Sequence, residues 1–503
     1  MSMKRLFIIL LGVFVFIGLV ISPSLSTGSI DLYNEKRLLQ SLVLVLGSLF
    51  FIYLLSKNTL NLNQHNVYFW GSFFVLLCIS IFLSQCMGWA LLEIGWYICL
   101  LQLVFVIGYI YQQSPEKFEQ YLLLIIISFA ILYSIRVAGD LITGFVDPNW
   151  PNWPNHTRSV ILFDGENFAK NGFLGFKNVR FFNHLQTWSI PVLVYGYIKY
   201  QPKLTFGFRA LFLVLLSFFW MLTFASGARG TLLSLLISSV IVFILFKGQS
   251  KEWLKKGAIT CLAGFLLYVV VFYLLIPDGS GKALARTDSS RRLELWGAAW
   301  QAIKSNPIWG VGPMHMANVN GVNPITSPHN MYLLWLAEWG IPAFLVGGVI
   351  ALKGMYKWIQ SALVSPSIQK VALTISFIAG IIHSGVSGLL ITPLSQLLFA
   401  LLLGWSIGIY YSGRNKTLWI RRKNSFKGML KSIPLVILAV FVFAKVGLMV
   451  PSMEENKDNF QQLNRNKKIE LFPTSRATIY PRFWEQGFIG IDEIKMNGKS
   501  KKP

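Results

Sequence analysis

Hydrophobic runs of about twenty residues follow one another along the chain, separated by short polar segments. Runs of that length match the hydrocarbon thickness of a bilayer, so they predict membrane-crossing helices and not the cores of soluble domains. About thirteen are readable, at 5–22, 37–55, 67–86, 89–111, 118–138, 184–200, 204–224, 231–246, 255–276, 330–352, 371–390, 394–411 and 430–450. The first follows Lys4 and Arg5 and reads as an uncleaved span, because no small-x-small cleavage site closes it. The expected fold class is all-α: a polytopic membrane protein of about 12–13 transmembrane helices, with an external loop that carries an amphipathic helix. Residues 1–450 form the expected membrane body, with long polar loops at 139–183 and 277–329, and 451–503 a polar C-terminal tail.

Composition agrees with this reading: 54% of residues are hydrophobic and only 13% are charged. A net charge of +24 would by itself suggest nucleic acid, but the placement of that charge argues for a membrane. With the N-terminus inside, basic residues such as Lys251, Lys255, Lys256, Arg421, Arg422 and Lys423 collect on one side. The short connections on the other side hold Lys36, Arg37 and Arg229. That asymmetry puts both long loops and the tail outside, with membrane lipids as partners and no nucleic acid. Cys78, Cys86, Cys99 and Cys261 sit in or beside apolar runs without metal-ligand spacing, as small buried hydrophobes do.

The loop 277–329 holds the densest candidate chemistry. Ser289 or Ser290 can cap a helix on which Leu293, Trp296, Trp300 and Ile303 share a stripe until Asn306-Pro307 ends it. Such a helix suits the outer leaflet. Arg291 and Arg292 fall in its first turn, where free backbone N–H groups already disfavour a cation. A bound phosphate removes that conflict, and contact with lipid headgroups is the plainer alternative. Arg229 stands in the SGARG connection, with headgroup anchoring again the alternative.

His329, in Ser327-Pro328-His329-Asn330, opens a span, where helix-end potential and partial desolvation keep an imidazole neutral. A neutral imidazole can serve as a general base, although a lone histidine at a helix end is more often structural. His184, beside Arg180 and Asn183, is expected to line the same cavity, and Glu338, about two and a half turns beyond His329, to support it from below. His65, His156, His315 and His383 have no comparable setting in the sequence. Glu93, Arg136, Glu338 and Lys445 are charges within apolar runs, and for them transport of a charged substrate is the rival explanation. No metal-ligand cluster or nucleotide-binding motif is readable, so no metal and no cofactor is expected.

Three segments in order, SGARG, RRLELWGAAWQAIKSNPIWGVGP and SPHNMYLLWLAEWGIP, give the stretch from Ser226 to Pro342 a family likeness. It resembles the O-antigen ligase and polymerase superfamily of bacterial envelope glycosyltransferases. The pattern is an Arg-x-x-x-Trp helix, an Asn-Pro-x-x-Gly-x-Gly turn, and a His-Asn that opens a span running to Glu-x-Gly-x-Pro. It departs in having Ser-Pro before the histidine where many relatives show a second histidine, and in a count of thirteen spans where ligases typically have twelve.

The resemblance implies an active site on the periplasmic face of the bacterial inner membrane. Arg229, one of Arg291 and Arg292, and His329 are the functional residues it implies. It also implies metal-independent inverting transfer of a glycan from an undecaprenyl-diphosphate carrier. The acceptor is lipid A–core in a ligase, a growing glycan in a polymerase, and a protein in the related protein O-oligosaccharyltransferases. O-antigen ligation to lipid A–core is the leading expectation, and a multi-span transporter or flippase the alternative from another class.

Overall fold

In lipid a backbone has no hydrogen-bond partner but itself, and nearly all of the described chain is helical. The computed structural model describes residues 3–21, 32–60, 64–84, 87–146, 176, 179–275, 292–318, 327–414, 416–421 and 425–449. Its helices are α1 (Met3–Phe16, continuing as a π-helix to Ile21), α2 (Leu32–Lys57), α3 (Gln64–Phe82), α4 (Met87–Gln113) and α5 (Pro115–Val146). There follow α6 (Val179–Tyr200), α7 (Phe206–Ala225), α8 (Arg229–Phe246), α9 (Lys251–Val269, continuing as a π-helix to Leu275) and α10 (Arg292–Ser305). The last four are α11 (Met331–Val364), α12 (Ile368–Ser384), α13 (Pro393–Ser412) and α14 (Ser425–Met449).

Each of the thirteen expected runs coincides with a helix, and the one further helix among the described residues, α10, is the expected helix of the external loop. Seven segments among the described residues are long and apolar enough to cross a membrane, α8 and α9 being joined in one of them. This is an all-α polytopic membrane fold. The tail 451–503 and the loop segment 147–175 lie outside the described residues.

The centre of the bundle is α6, buried without interruption from Phe182 to Ile198. It packs on α12, α7, α13, α5, α9 and α8, so its N-terminal end is surrounded by the ends of its neighbours. Strands β1 (Asn58–Leu60) and β2 (Trp419–Arg421) pair antiparallel and tie the end of α2 to the α13–α14 connection. That ribbon lies at the end of α2 remote from Arg37.

Two expectations are corrected here. Lys36 and Arg37 do not lie in an outer connection: both are buried inside α2, which begins at Leu32. The Arg37 guanidinium donates to Gln40 Oε1 and Gln396 Oε1 at 2.8 Å each, to the Tyr33 hydroxyl at 2.9 Å and to the Ile391 carbonyl at 2.8 Å. It also faces the Trp96 ring at 5.4 Å. A buried guanidinium persists only when its donors are met, and two of these partners, Gln396 and Ile391, come from a segment distant in sequence, which periodicity does not reveal.

The second correction concerns α11, which is one apolar span but not one continuous helix. It breaks at Gly340, whose φ of 78° and ψ of 165° are open to glycine and strained for other residues. A break frees backbone groups, and the turn after α10 takes them up. Val311 N–H donates to Ala337 O at 2.8 Å, Gly312 N–H to Glu338 O at 3.1 Å, and Ile341 N–H to Pro307 O at 2.9 Å. A Cβ on Gly340 would lie 2.1 Å from Ile308 O, and one on Gly310 would lie 2.3 Å from Glu338 O. The Asn-Pro-x-x-Gly-x-Gly turn and the Glu-x-Gly-x-Pro segment are therefore the two halves of one backbone-to-backbone joint. Gly340→Ala is expected to destabilise the purified protein by about 3 kcal/mol, from backbone strain plus overlap. Thermal unfolding in detergent measures this, and an unchanged midpoint would remove the joint from the account.

Candidate active site

The site is assembled where the starts of α6, α8, α10 and α11 meet the end of α12. Arg180 is the second residue of α6, Arg229 the first of α8, and Arg292 the first described residue of α10. Three helix N-termini thus each bring an arginine, adding side-chain charge to the partial positive charge of the exposed N–H groups. Arg180 Nη1 donates to Ser226 O at 3.2 Å and Gly227 O at 2.9 Å, the carbonyls that end α7. Arg180 thereby holds the SGARG connection that presents Arg229, which is exposed.

His329 precedes α11 and is fixed from both sides. Trp296 Nε1 on α10 donates to Pro328 O at 3.0 Å, and Ser327 Oγ accepts the His329 N–H at 3.2 Å. The Asn330 side chain caps α11 by accepting from Tyr332 N at 3.0 Å and Leu333 N at 3.1 Å. Between these clamps His329 adopts a φ of 51°, in the left-handed region that few non-glycine residues occupy. Burial first, and then the charges of Arg292 and Arg180, lower its pKa to about 4. The imidazole is therefore neutral at pH 7. Its ring nitrogens have no hydrogen-bond partner among the described residues, so they are available to a substrate.

The Arg-x-x-x-Trp spacing now has a physical reason. Residues four apart share a helix face, so the turn that docks Trp296 against Pro328 also brings Arg292 toward His329. Arg291 lies outside the described residues, as do Ser289 and Ser290.

The predicted stripe on α10 is corrected in part. Ile303 joins Leu295, Ala299 and Ala302 on the face that packs against Met316, Met331, Leu334 and Ala337. Leu293 and Trp300 point away, 70% and 50% exposed, as residues meeting lipid do. The helix has two apolar faces, and reading one of them merged residues from both.

His184 is buried beside this site, and both its nitrogens are engaged: Nδ1 with Thr392 Oγ1 at 3.2 Å and Nε2 with Ser387 Oγ at 2.7 Å. It holds the 385–392 connection. That connection is gripped from its far side by the Arg37 bond to Ile391 O and by Gln396 Nε2, which donates to Leu390 O at 2.7 Å. Glu338 is fully buried and its carboxylate accepts the Met316 N–H at 3.0 Å, so it fastens the turn 315–318 to α11.

Sequence reading passed over His383, the last-turn histidine of α12. Its ring lies 5.5 Å from that of His184, and its Nδ1 is 2.8 Å from Thr187 Oγ1. The charges of Arg180 and Arg292 reach it as they reach His329. The available signal was a histidine closing an apolar span before Ser-Gly-Val-Ser-Gly. Tyr332 joins the two histidine-bearing segments, its hydroxyl donating to Ile381 O at 2.6 Å. Among the described residues no group of three or more His, Cys, Asp or Glu is placed to hold a metal ion.

Residues 211–346 match the O-antigen ligase family model. The matched segment contains Arg229, Arg292, Trp296, His329 and Glu338, and it leaves out Arg180, His184 and His383. No curated protein matches the chain. The match is consistent with the O-antigen ligase superfamily and supports glycan transfer of the ligase and polymerase type by a multi-pass membrane protein.

Proposed function

We propose that this protein transfers a glycan from an undecaprenyl-diphosphate carrier to a hydroxyl acceptor at the periplasmic face of the inner membrane. The acceptor in this reading is lipid A–core, which makes the activity O-antigen ligation. One observation carries it: arginines at three helix N-termini and a neutral, clamped histidine share one site, partly within the segment that matches the O-antigen ligase family.

The chemistry follows from the charges. Cleavage of the anomeric C–O bond leaves its electron pair on the diphosphate, and fixed guanidinium groups in a poorly hydrated site stabilise that charge as it grows. The acceptor oxygen attacks C1 from the opposite face, inverting it, while His329 takes the acceptor's proton. Arg292 and Arg180 weaken His329 as a base in the free protein. A bound diphosphate offsets their charge, so donor binding restores basicity to the imidazole when a base is needed. The diphosphate leaves as an anion without protonation, and fixed arginines take the place a divalent cation would fill, so no metal is required.

The lipopolysaccharide of a deletion strain tests the acceptor. A ligase leaves core without attached polymer. Core bearing single repeats would reassign the activity to polymerisation, and normal lipopolysaccharide with an unglycosylated protein would reassign it to protein glycosylation.

A further inference from the structure

His383 is the one described histidine near the arginines with one ring nitrogen engaged and the other without a hydrogen-bond partner among the described residues. Thr187 Oγ1 donates to Asn183 O one helical turn earlier, at 3.1 Å, a common use of a hydroxyl within a helix. Thr231 Oγ1 donates to the same carbonyl at 3.2 Å and lies 3.2 Å from Thr187 Oγ1, and His383 Nδ1 is 2.8 Å from Thr187 Oγ1. With both threonine protons on Asn183 O, Nδ1 carries the imidazole proton and Nε2 a lone pair; with the Thr187 proton on Nδ1, the two are exchanged. Nε2 has no hydrogen-bond partner among the described residues. It lies along the start of α8: a Cβ added to Gly230, next to Arg229, would be 2.9 Å from Nε2 and from Cδ2.

In the first of these arrangements Nε2 is an acceptor, and an acceptor nitrogen so close to the arginines does not suit the diphosphate itself, since a lone pair repels an anionic oxygen. It suits a donor O–H. We infer that His383 is a substrate-contacting residue whose Nε2 accepts a hydrogen bond from a hydroxyl of the sugar joined to the diphosphate. This rests on the glycan-transfer reading above. His184, with both nitrogens engaged, holds the neighbouring connection, and His329 remains the base. The three histidines then divide between support, sugar positioning and proton removal.

Asparagine and glutamine separate this role from a structural one, because they preserve opposite ends of the ring. The Asn amide keeps a donor near the Nδ1 position for Thr187 and removes the Nε2 acceptor. The Gln carbonyl reaches the Nε2 position and gives up the Thr187 contact. Full-length wild-type protein, His383→Asn, His383→Gln and Gly230→Ala are assayed in liposomes with purified lipid-linked glycan and acceptor. Their thermal midpoints are recorded alongside.

His383→Asn is expected to raise KM for the glycan roughly tenfold with little change in kcat, the loss of one hydrogen bond to substrate. Gly230→Ala, which puts a methyl group against Nε2, should shift KM the same way, and His383→Gln should stay within about threefold of wild type. The reverse order, with Asn normal and Gln impaired, would mean that only the Thr187 contact matters and would overturn the inference. Failure of the wild-type protein to transfer from any lipid-diphosphate glycan would instead overturn the reading of the site, and this inference with it.

Discussion

Replacing His329 with alanine is expected to slow turnover by about 10²–10⁴-fold and to leave binding of the lipid-linked donor nearly unchanged. Proton removal from the acceptor matters in the transition state and not in the ground state, so the loss falls on kcat. Transfer from purified lipid-linked glycan, run with EDTA present, measures it. The same assay read against pH gives a second signature. His329 acts only when neutral, so activity falls as pH drops through its pKa. In the free protein that value is about 4, and kcat/KM should keep its acid limb there. The kcat limb should lie higher, because a bound diphosphate counters the charges of Arg292 and Arg180. His315 is the control: it is buried, with Nδ1 bound to Pro313 O at 2.8 Å, so His315→Ala should lower stability and not the chemical step. Full turnover by His329→Ala would show that the proton leaves by another route.

The fold was legible because the bilayer imposes one requirement on a span, length and apolarity, which seven of the described segments meet within themselves. Where a run depends on something outside itself, the reading failed. Nothing local in Leu-Tyr-Asn-Glu-Lys-Arg shows that Arg37 will be met by Gln396 and Ile391, more than 350 residues away. Likewise the apolar run that begins at Met331 hides its break, since Gly340 and Pro342 are tolerated in continuous membrane helices when neighbours satisfy the freed groups.

The site divides along the same line. His329 and Arg229 were visible because each is polar at the edge of an apolar run, and Arg292 because it falls in the first turn of an amphipathic helix. His383 was not, because its meaning comes from Thr187 and Gly230 on other helices. Glu338 was noticed for its charge, yet its observed contact is with the backbone of Met316. Trp296 was read as a member of an apolar stripe, and the structure uses its indole N–H.

Alanine at Arg292 or Arg229 is expected to reduce transfer by about 10²–10³-fold each, the scale of losing one fixed stabiliser of developing charge. The two positions differ in what else they do. Arg292 lies near His329 and lowers its pKa, so Arg292→Ala should also move the acid limb of kcat/KM to higher pH, partly offsetting the loss by leaving a stronger base. Arg229 is exposed at the start of α8, and Arg229→Ala should leave that limb in place. Lysine at either position keeps the charge and gives up the planar fork that binds two phosphate oxygens at once, so it should recover only part of the activity. Headgroup anchoring makes a different demand, because an ammonium meets a lipid phosphate about as well as a guanidinium does. Wild-type activity in both lysine variants would therefore exclude the diphosphate clamp and leave the two arginines as membrane anchors.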